Sequence, residues 1–129
     1  MIVVDSSVWI SHFAGVLHRE VVDLRTTIDP EDVVVCDLVV LEVLRGARSE
    51  QAAGYMAHEL GLFTFARLGG MRNSVAAAGH YRTLRRLGLT IRSPIDLLIG
   101  TYCIEHGHQL LQRDRDFGPM REHLGLRLA

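Results

Sequence analysis

The sequence predicts an α/β fold in which a central parallel sheet of about five strands is flanked by helices. Short runs of β-branched or aromatic residues alternate with longer segments of helical periodicity, which is typical of a parallel sheet covered by helices. Hydrophobic residues make up 48% of the 129 residues, which is enough for a hydrophobic core. Because no linker or internal repeat interrupts the pattern, we expect a single domain over residues 1–129.

Each strand and helix is predicted from a local run of residues. The first strand is the β-branched segment Ile2–Val3–Val4, which leads directly into Asp5. The strands are expected over residues 2–5, 32–36, 63–66, 109–112 and 126–128. The helices are expected near residues 7–14, 18–28, 38–47, 50–61, 72–88 and 94–106, followed by a short turn around 118–123.

Two of these helices combine an apolar surface with an acidic residue. The segment "CDLVVLEVLRGA" is apolar on both sides of Glu42, so we expect a helix buried on most sides, and the chain can change direction at Gly46 or Gly54. The segment "SPIDLLIGTYCIEHG" begins with Ser93 as the predicted N-cap, and Asp96 follows three residues later. Its predicted core face consists of Ile95, Leu98, Ile99, Tyr102 and Cys103.

The helix over residues 72–88 has an apolar side and a basic side. The predicted apolar side consists of Ala77, Tyr81, Leu84 and Leu87, and the basic side of Arg82, Arg85 and Arg86. All 14 basic residues of the chain are arginine, and the formal net charge is −1. The absence of lysine excludes any mechanism that needs a lysine side chain.

Cysteine usage and hydropathy indicate the compartment. Cys36 and Cys103 lie in apolar surroundings without the spacing of metal ligands, so we expect reduced core thiols in a cytoplasmic protein. No apolar stretch approaches the ~20 residues that span a bilayer, and no basic segment precedes the first apolar run. We therefore expect neither a membrane partner nor a signal peptide.

Each acidic residue in an apolar setting has a purely structural explanation. Asp5 can cap the helix that follows it, and Asp96 can form a capping box with Ser93. Glu42 can pair with Arg45 three residues on. The remaining two acids, in "LLQRDRDF", can be ordinary turn residues: Asp114 and Asp116.

Taken together, these positions favour a metal site. The carboxyl ends of parallel strands and the N-termini of the following helices share one edge of a sheet, and Asp5, Asp96 and Asp114 all fall at such places. Carboxylates gathered at one edge repel each other unless a cation joins them. Because the candidate ligands are oxygen atoms without paired Cys or His, the expected ion is Mg²⁺, with Mn²⁺ as the alternative.

The chain resembles the PIN-domain ribonucleases, and within them the VapC toxins of bacterial toxin–antitoxin pairs. The resemblance rests on "IVVDSSVWI", "LEVLRGAR", "SPIDLLIGTYC" and "LLQRDRDF", which occur in the family's order over nearly the whole chain. It implies a PIN-like fold, Mg²⁺-dependent cleavage of RNA, a homodimer and a cognate antitoxin. It also implies an acidic catalytic and metal-binding cluster of Asp5, Glu42, Asp96 and Asp114, with Asp116 as a further metal-ligand candidate. One departure is Gln112, where related sequences often have a small hydroxyl residue.

The charge distribution agrees with a polyanionic substrate. With the four cluster acids set aside from the 15 in the chain, 14 arginines face eleven acids, a formal +3. Arg113 and Arg115 flank Asp114 and are candidate phosphate contacts, although a solvated turn explains them equally well. His106 and His108 follow a helix end, where cationic side chains are favoured, and no histidine metal motif is present.

Two other functional classes are alternatives for this sequence. A receiver domain of signalling systems is also an α/β unit with acids at strand ends. A resemblance to that family would require two adjacent acids after the first strand and a lysine late in the chain. Here Asp5 is followed by two serines and the chain has no lysine, so this class is excluded. The second alternative is a PIN-like module that binds RNA without catalysis, and a nuclease assay distinguishes it from an enzyme.

Overall fold

Five parallel strands form one sheet at the centre of the molecule. The computed structural model describes residues Met1–Ala129. The strands are β1 (Ile2–Val4), β2 (Val33–Cys36), β3 (Thr64–Ala66), β4 (Gln109–Leu111) and β5 (Arg127–Leu128). Their order in the sheet is β3-β2-β1-β4-β5, and every neighbouring pair is parallel. The predicted α/β fold with a five-stranded parallel sheet is confirmed.

Seven α-helices connect and cover the strands. They are α1 (Ser6–Phe13), α2 (Arg19–Thr26), α3 (Asp37–Leu44), α4 (Glu50–Leu60), α5 (Met71–Arg86), α6 (Pro94–His106) and α7 (Gly118–Leu124). Two single 3₁₀ turns cover Pro30–Asp32 and Arg115–Phe117. The six helices expected from the sequence are all present, with ends that differ by up to three residues.

The segment over residues 118–123 is a helix, so its assignment as a turn was wrong. Pro119 lies in the first turn of α7, and Gly125 ends the helix with a positive φ of 78°. Met120 is fully buried and anchors the helix to the core. A helix of 7 residues is too short to display two turns of apolar periodicity, which is why the pattern did not reveal it.

Several predicted boundaries move for local reasons. The strands expected over 2–5 and 109–112 each end one residue earlier, because the β1–β4 ladder stops at the pair Val4 and Leu111. Helix α3 ends at Leu44 rather than at residue 47, and the chain turns at Gly46. Gly54, the other glycine considered for this turn, lies inside α4.

Two helices are less buried than their sequences predict. In α3 only Val39 and Val43 are buried, whereas Leu41 is 55% exposed, so a helix buried on most sides was wrong. In α5 Ala77 and Leu84 are buried as expected, but the other two residues of its predicted apolar side are 38% and 54% exposed, namely Tyr81 and Leu87. Each helix packs on the core along one side only, since this domain has no further layer to cover the opposite side.

The core surrounds the central strands and the inner faces of the helices. All residues of β2 are buried, and 23 buried residues form one continuous apolar cluster. On α6 the buried apolar residues are Ile99 and Cys103, and Gly100 lies so close to Met120 that a methyl group there would overlap its sulfur. Both cysteines are free and buried, in agreement with reduced core thiols.

The strand order places a crevice above β1 and β4. From β1 the chain winds to β2 and β3 on one side, and then returns to β4 and β5 on the other. In open parallel sheets the ligand site lies beyond the carboxyl ends of the strands at such a reversal. None of the seven helices has the length and hydropathy that crossing a bilayer requires.

Candidate metal centre

Asp5 sits at the carboxyl end of β1, in the crevice, and is 2% exposed. Its backbone N–H donates to the carbonyl of Leu111, which continues the contact between β1 and β4 by one residue. Its Oδ2 accepts from the backbone N–H of Ser7 at 3.1 Å and from the Ser7 hydroxyl. Asp5 is therefore the N-cap of α1, while its Oδ1 is buried and has no hydrogen-bond partner.

Asp96 lies in the first turn of α6 and is 7% exposed. Ser93 caps this helix, because its hydroxyl oxygen accepts from the Asp96 backbone N–H at 3.3 Å. The Asp96 carboxylate makes no hydrogen bond in return, so the reciprocal half of a capping box is absent. The helix start is thus stabilised by serine, and the carboxylate remains free to face the other acids.

Glu42 projects from the second turn of α3 and is half-buried, rather than buried as its sequence setting suggested. Its Oε1 accepts from the Ser6 hydroxyl at 3.0 Å. No ion pair forms between Glu42 and Arg45. The structural explanation offered by the sequence for this acid, an intrahelical salt bridge, therefore does not apply.

The loop after β4 supplies two more acids. Asp114 accepts from the backbone N–H of Asp116 at 2.9 Å and caps the 3₁₀ turn, as the turn interpretation predicts. The side-chain oxygen of Gln112 accepts from the backbone N–H of Asp114. Gln112, the residue that departs from the resemblance, therefore holds this loop through its side-chain amide.

These acids converge in two groups that share one member. One ligand atom from each of Asp5, Glu42 and Asp96 lies within 4.8 Å of the others, and the same holds for Asp96, Asp114 and Asp116. We call the five residues the acidic cluster. All five acids selected from the sequence belong to it, and Asp96 is its centre.

Burial and mutual repulsion raise the pKa values at the centre of the cluster. Burial, followed by the charges of Asp5, Asp114, Glu42 and Asp116, raises the pKa of Asp96 to about 7. Burial also raises the pKa of Asp5, against the opposing effect of its hydrogen bonds from Ser7. A cation among these oxygens would lower both pKa values, because it would offset the repulsion between the carboxylates and bind the unpartnered Oδ1 of Asp5.

The sequence did not reveal two serines that hold the cluster in place. Ser6 fixes Glu42, and Ser7 connects Asp5 with the loop after β4, because its hydroxyl oxygen also accepts from the backbone N–H of Arg113 at 3.1 Å. The only available signal was the pair of hydroxyl residues directly after the first acid in "VVDSS". Asp37 lies at the same edge, but its Oδ1 accepts from two backbone N–H groups and it stands outside the cluster.

The two arginines beside Asp114 differ. Arg113 forms an ion pair with Glu20 at 3.0 Å, whereas Arg115 is exposed and has no carboxylate partner. Burial acts to raise the pKa of Glu20, but its own backbone N–H and Arg113 lower it overall. Of these two arginines, only Arg115 has a guanidinium group without a carboxylate partner.

The chain is similar over its whole length to two mycobacterial ribonucleases. It is 29% identical over 131 residues to Ribonuclease VapC11 of Mycobacterium tuberculosis (strain ATCC 25618 / H37Rv), covering 100% of this chain and 98% of that protein. The same values hold for VapC ribonuclease Mb1587 of Mycobacterium bovis.

Solved structures share the fold at low sequence identity. The chain superposes on VapBC2 from Rickettsia felis bound to a promoter DNA fragment with a TM-score of 0.76 at 16% identity, covering 100% of this chain and 98% of that one. For FitAcB from Neisseria gonorrhoeae the TM-score is 0.73 at 18% identity, with 99% and 96% covered. The PIN domain family profile matches residues 2–122, with the acidic cluster inside the match, and the chain belongs to the PIN domain family.

Proposed function

We propose that this protein is a Mg²⁺-dependent endoribonuclease and the toxin of a toxin–antitoxin pair. The observation that carries the proposal is the convergence of five acids on Asp96 at the strand-order reversal, together with a buried Asp5 oxygen that has no partner. The Asp96 carboxylate accepts no hydrogen bond at the helix start, forms no ion pair and belongs to a residue that is 7% exposed, so the fold alone does not explain it. The names of the related VapC ribonucleases support RNA as the substrate.

The acidic cluster fits a hard divalent cation. Its donors are all carboxylate oxygens, which suit Mg²⁺ or Mn²⁺ rather than zinc. Two overlapping groups could hold such an ion: Asp5 and Glu42 with Asp96, and Asp114 and Asp116 with Asp96. Such an ion, when bound, supplies charge neutralisation on the phosphate and activation of water.

The chain's own residues would orient the reactants. Ser7 holds Asp5 with one oxygen fixed and the other free, and Ser6 holds the half-buried Glu42 carboxylate beside it. From there the Glu42 carboxylate is placed either to complete the metal site or to orient the attacking water. The exposed Arg115 guanidinium is available to bind a phosphate next to the scissile bond.

The partners and setting follow from the same resemblance. We propose an antitoxin partner and a homodimer, supported by the toxin–antitoxin complexes among the structures that share the fold and by exposed apolar residues on several helices. We further propose that residues 1–129 act as one domain, because one apolar cluster connects the sheet with all seven helices. A cytoplasmic location is supported by the two free buried thiols.

The test is a cleavage assay on total RNA and on purified tRNA, with Mg²⁺ or with EDTA. We expect cleavage by the wild type in Mg²⁺ only, and none by Asp96→Asn. The matched control is Asp32→Asn, which removes an exposed carboxylate outside the cluster and should cleave like the wild type. Binding of RNA without cleavage under all conditions would instead favour the non-catalytic module, and cleavage in EDTA would contradict the metal requirement.

A further inference from the structure

Next to the acidic cluster, a cavity of about 650 Å³ opens between α5 and the start of α6. We call it the α5–α6 cavity. Its floor is apolar and includes Ile91, Leu97 and Leu98, and its sides include Tyr81, Arg82 and Arg92. Neither the fold nor the proposed chemistry at the acidic cluster uses this cavity.

The cavity and the acidic cluster share the first turn of α6. Pro94 and Leu97 line the cavity, and Asp96 between them belongs to the cluster. The two sites therefore lie on different sides of one helical turn. Since a helix with its side chains is about 10 Å across, this is the approximate distance between them.

The cavity walls match a nucleotide in chemistry. Tyr81 lines the cavity and is 38% exposed, so part of its side chain is accessible from solvent. Arg82 and Arg92 are both exposed, and neither forms an ion pair with a carboxylate. An aromatic side chain beside free guanidinium groups is the combination that binds single-stranded nucleic acid, through base stacking and phosphate contacts.

We propose that the α5–α6 cavity binds an unstacked base of the RNA substrate close to the scissile phosphate. Tyr81 forms the stacking surface, and Arg82 and Arg92 bind the phosphates on either side of that base. This inference rests on the proposed ribonuclease function. RNA is favoured over a protein partner because neither arginine at the cavity is paired with a carboxylate, and because the cavity lies about one helix diameter from the acidic cluster, where the scissile phosphate would bind.

The experiment measures binding of a short fluorescein-labelled single-stranded RNA by anisotropy in EDTA, so that the RNA stays intact. We expect Tyr81→Ala to weaken binding about 5- to 150-fold, the effect of losing one stacked base, and Tyr81→Phe to bind like the wild type. Arg92→Gln should weaken binding and reduce the slope of log Kd against log salt concentration by about 0.7. The matched control is Arg86→Gln, on the same helix but outside the cavity, which should leave affinity and slope unchanged.

A second ligand, the same oligonucleotide without bases, isolates stacking from charge. The wild type should bind the abasic strand less tightly than the normal one, and Tyr81→Ala should lose most of that preference. An equal preference in both proteins, or unchanged affinity of Tyr81→Ala, would overturn the proposal. So would an altered sedimentation coefficient of Tyr81→Ala with unchanged RNA binding, because the cavity would then belong to a protein interface.

Thermal melting of each variant shows whether it is folded, and a parallel cleavage assay of the wild type in Mg²⁺ separates the two hypotheses. If the wild type cleaves no RNA, the ribonuclease function fails, while the binding comparison still decides what the cavity holds. If the wild type cleaves RNA but Tyr81→Ala binds both strands as the wild type does, only the cavity proposal fails.

Discussion

The two carboxylate oxygens of Asp5 have different surroundings. Oδ2 accepts hydrogen bonds from Ser7 and caps α1, whereas Oδ1 is buried without a partner. Leaving a buried acceptor unsatisfied costs about 1–3 kcal/mol, so the arrangement is unfavourable unless a ligand completes it. The structural and functional interpretations of this residue are therefore compatible, since each describes one oxygen.

The raised pKa of Asp96 predicts how stability depends on pH in the metal-free protein. Because the folded pKa of about 7 lies above the usual value of 3.8, the folded state binds more protons than the unfolded state between these pH values. The free energy of unfolding should therefore fall as pH rises from about 4 to 7. A shift of this size corresponds to about 4 kcal/mol, and screening by solvent should reduce it to roughly 1–2 kcal/mol.

The measurement is urea denaturation in EDTA at several pH values, for the wild type and Asp96→Asn. The difference between the two proteins isolates Asp96 from the other titrating groups. We expect the free energy of unfolding of Asp96→Asn to rise steadily relative to that of the wild type between pH 4 and 7. A constant difference over this range would show that the carboxylate is not held in a repulsive setting.

Ser6 provides a second prediction at the residue scale. Ser6→Ala removes the hydrogen bond to Glu42, so metal affinity or cleavage rate should fall about 10- to 100-fold, as expected for a residue that orients a ligand. Ser11→Ala, one turn further along α1, removes a hydroxyl that contacts only the backbone and should have no such effect. Calorimetric Mg²⁺ titration and a cleavage assay measure both; equal results for the two variants would rule out a positioning role for Ser6.

Individual side chains were predictable where position alone decides them. Acids that follow strands lie at the carboxyl edge of a parallel sheet, so Asp5 and Asp114 were expected at that edge, and each lies in a group with Asp96. The contacts of Ser6 and Ser7 were not predictable, because periodicity does not determine where a hydroxyl group points.

At the scale of single elements, two helices are capped by serines that lie outside the acidic cluster. Ser93 caps α6 and Ser49 caps α4, each with its hydroxyl oxygen accepting from the backbone N–H three residues on. Either serine replaced by alanine should lower the free energy of unfolding by about 1 kcal/mol. Both variants should keep the rise in melting temperature that Mg²⁺ gives the wild type, because the carboxylates remain. Differential scanning calorimetry with and without Mg²⁺ measures this, and a missing Mg²⁺ effect in Ser93→Ala alone would mean that the cap and the cluster are coupled.

Strand and helix types followed from the sequence, but burial followed less well. β-branched runs predicted β1 and β2, because a central parallel strand is covered on both faces. The overestimated burial of α3 and of the far end of α5 has one cause. An apolar residue in a helix indicates a contact with another apolar surface, and that surface can belong to a partner chain rather than to the same domain. Helix α7 was not predicted as a helix, because Met120 is its one buried residue.

For the whole molecule, the exposed apolar residues predict association. Leu41, Met71 and Val75 are 55%, 81% and 62% exposed, on α3 and α5. An apolar groove of about 470 Å³ also lies between α1 and α4. Exposed apolar surface of this extent is typical of protein–protein interaction sites. We expect a dimer in analytical ultracentrifugation at micromolar concentration, and a larger complex when the product of a neighbouring small gene is added. A monomer under both conditions would contradict the proposed assembly.

The most direct test of the metal site is thermal melting of the wild type and Asp96→Asn, each in EDTA and in Mg²⁺, with Asp32→Asn as the control. In EDTA, Asp96→Asn should be at least as stable as the wild type, because it removes a charge from a repulsive cluster. Mg²⁺ at a hundredfold excess over Kd should stabilise the wild type and Asp32→Asn by about 2.7 kcal/mol, and Asp96→Asn hardly at all. If Asp96→Asn instead melts well below the wild type in EDTA and Mg²⁺ shifts none of the three, the acids are structural and the metal centre is wrong.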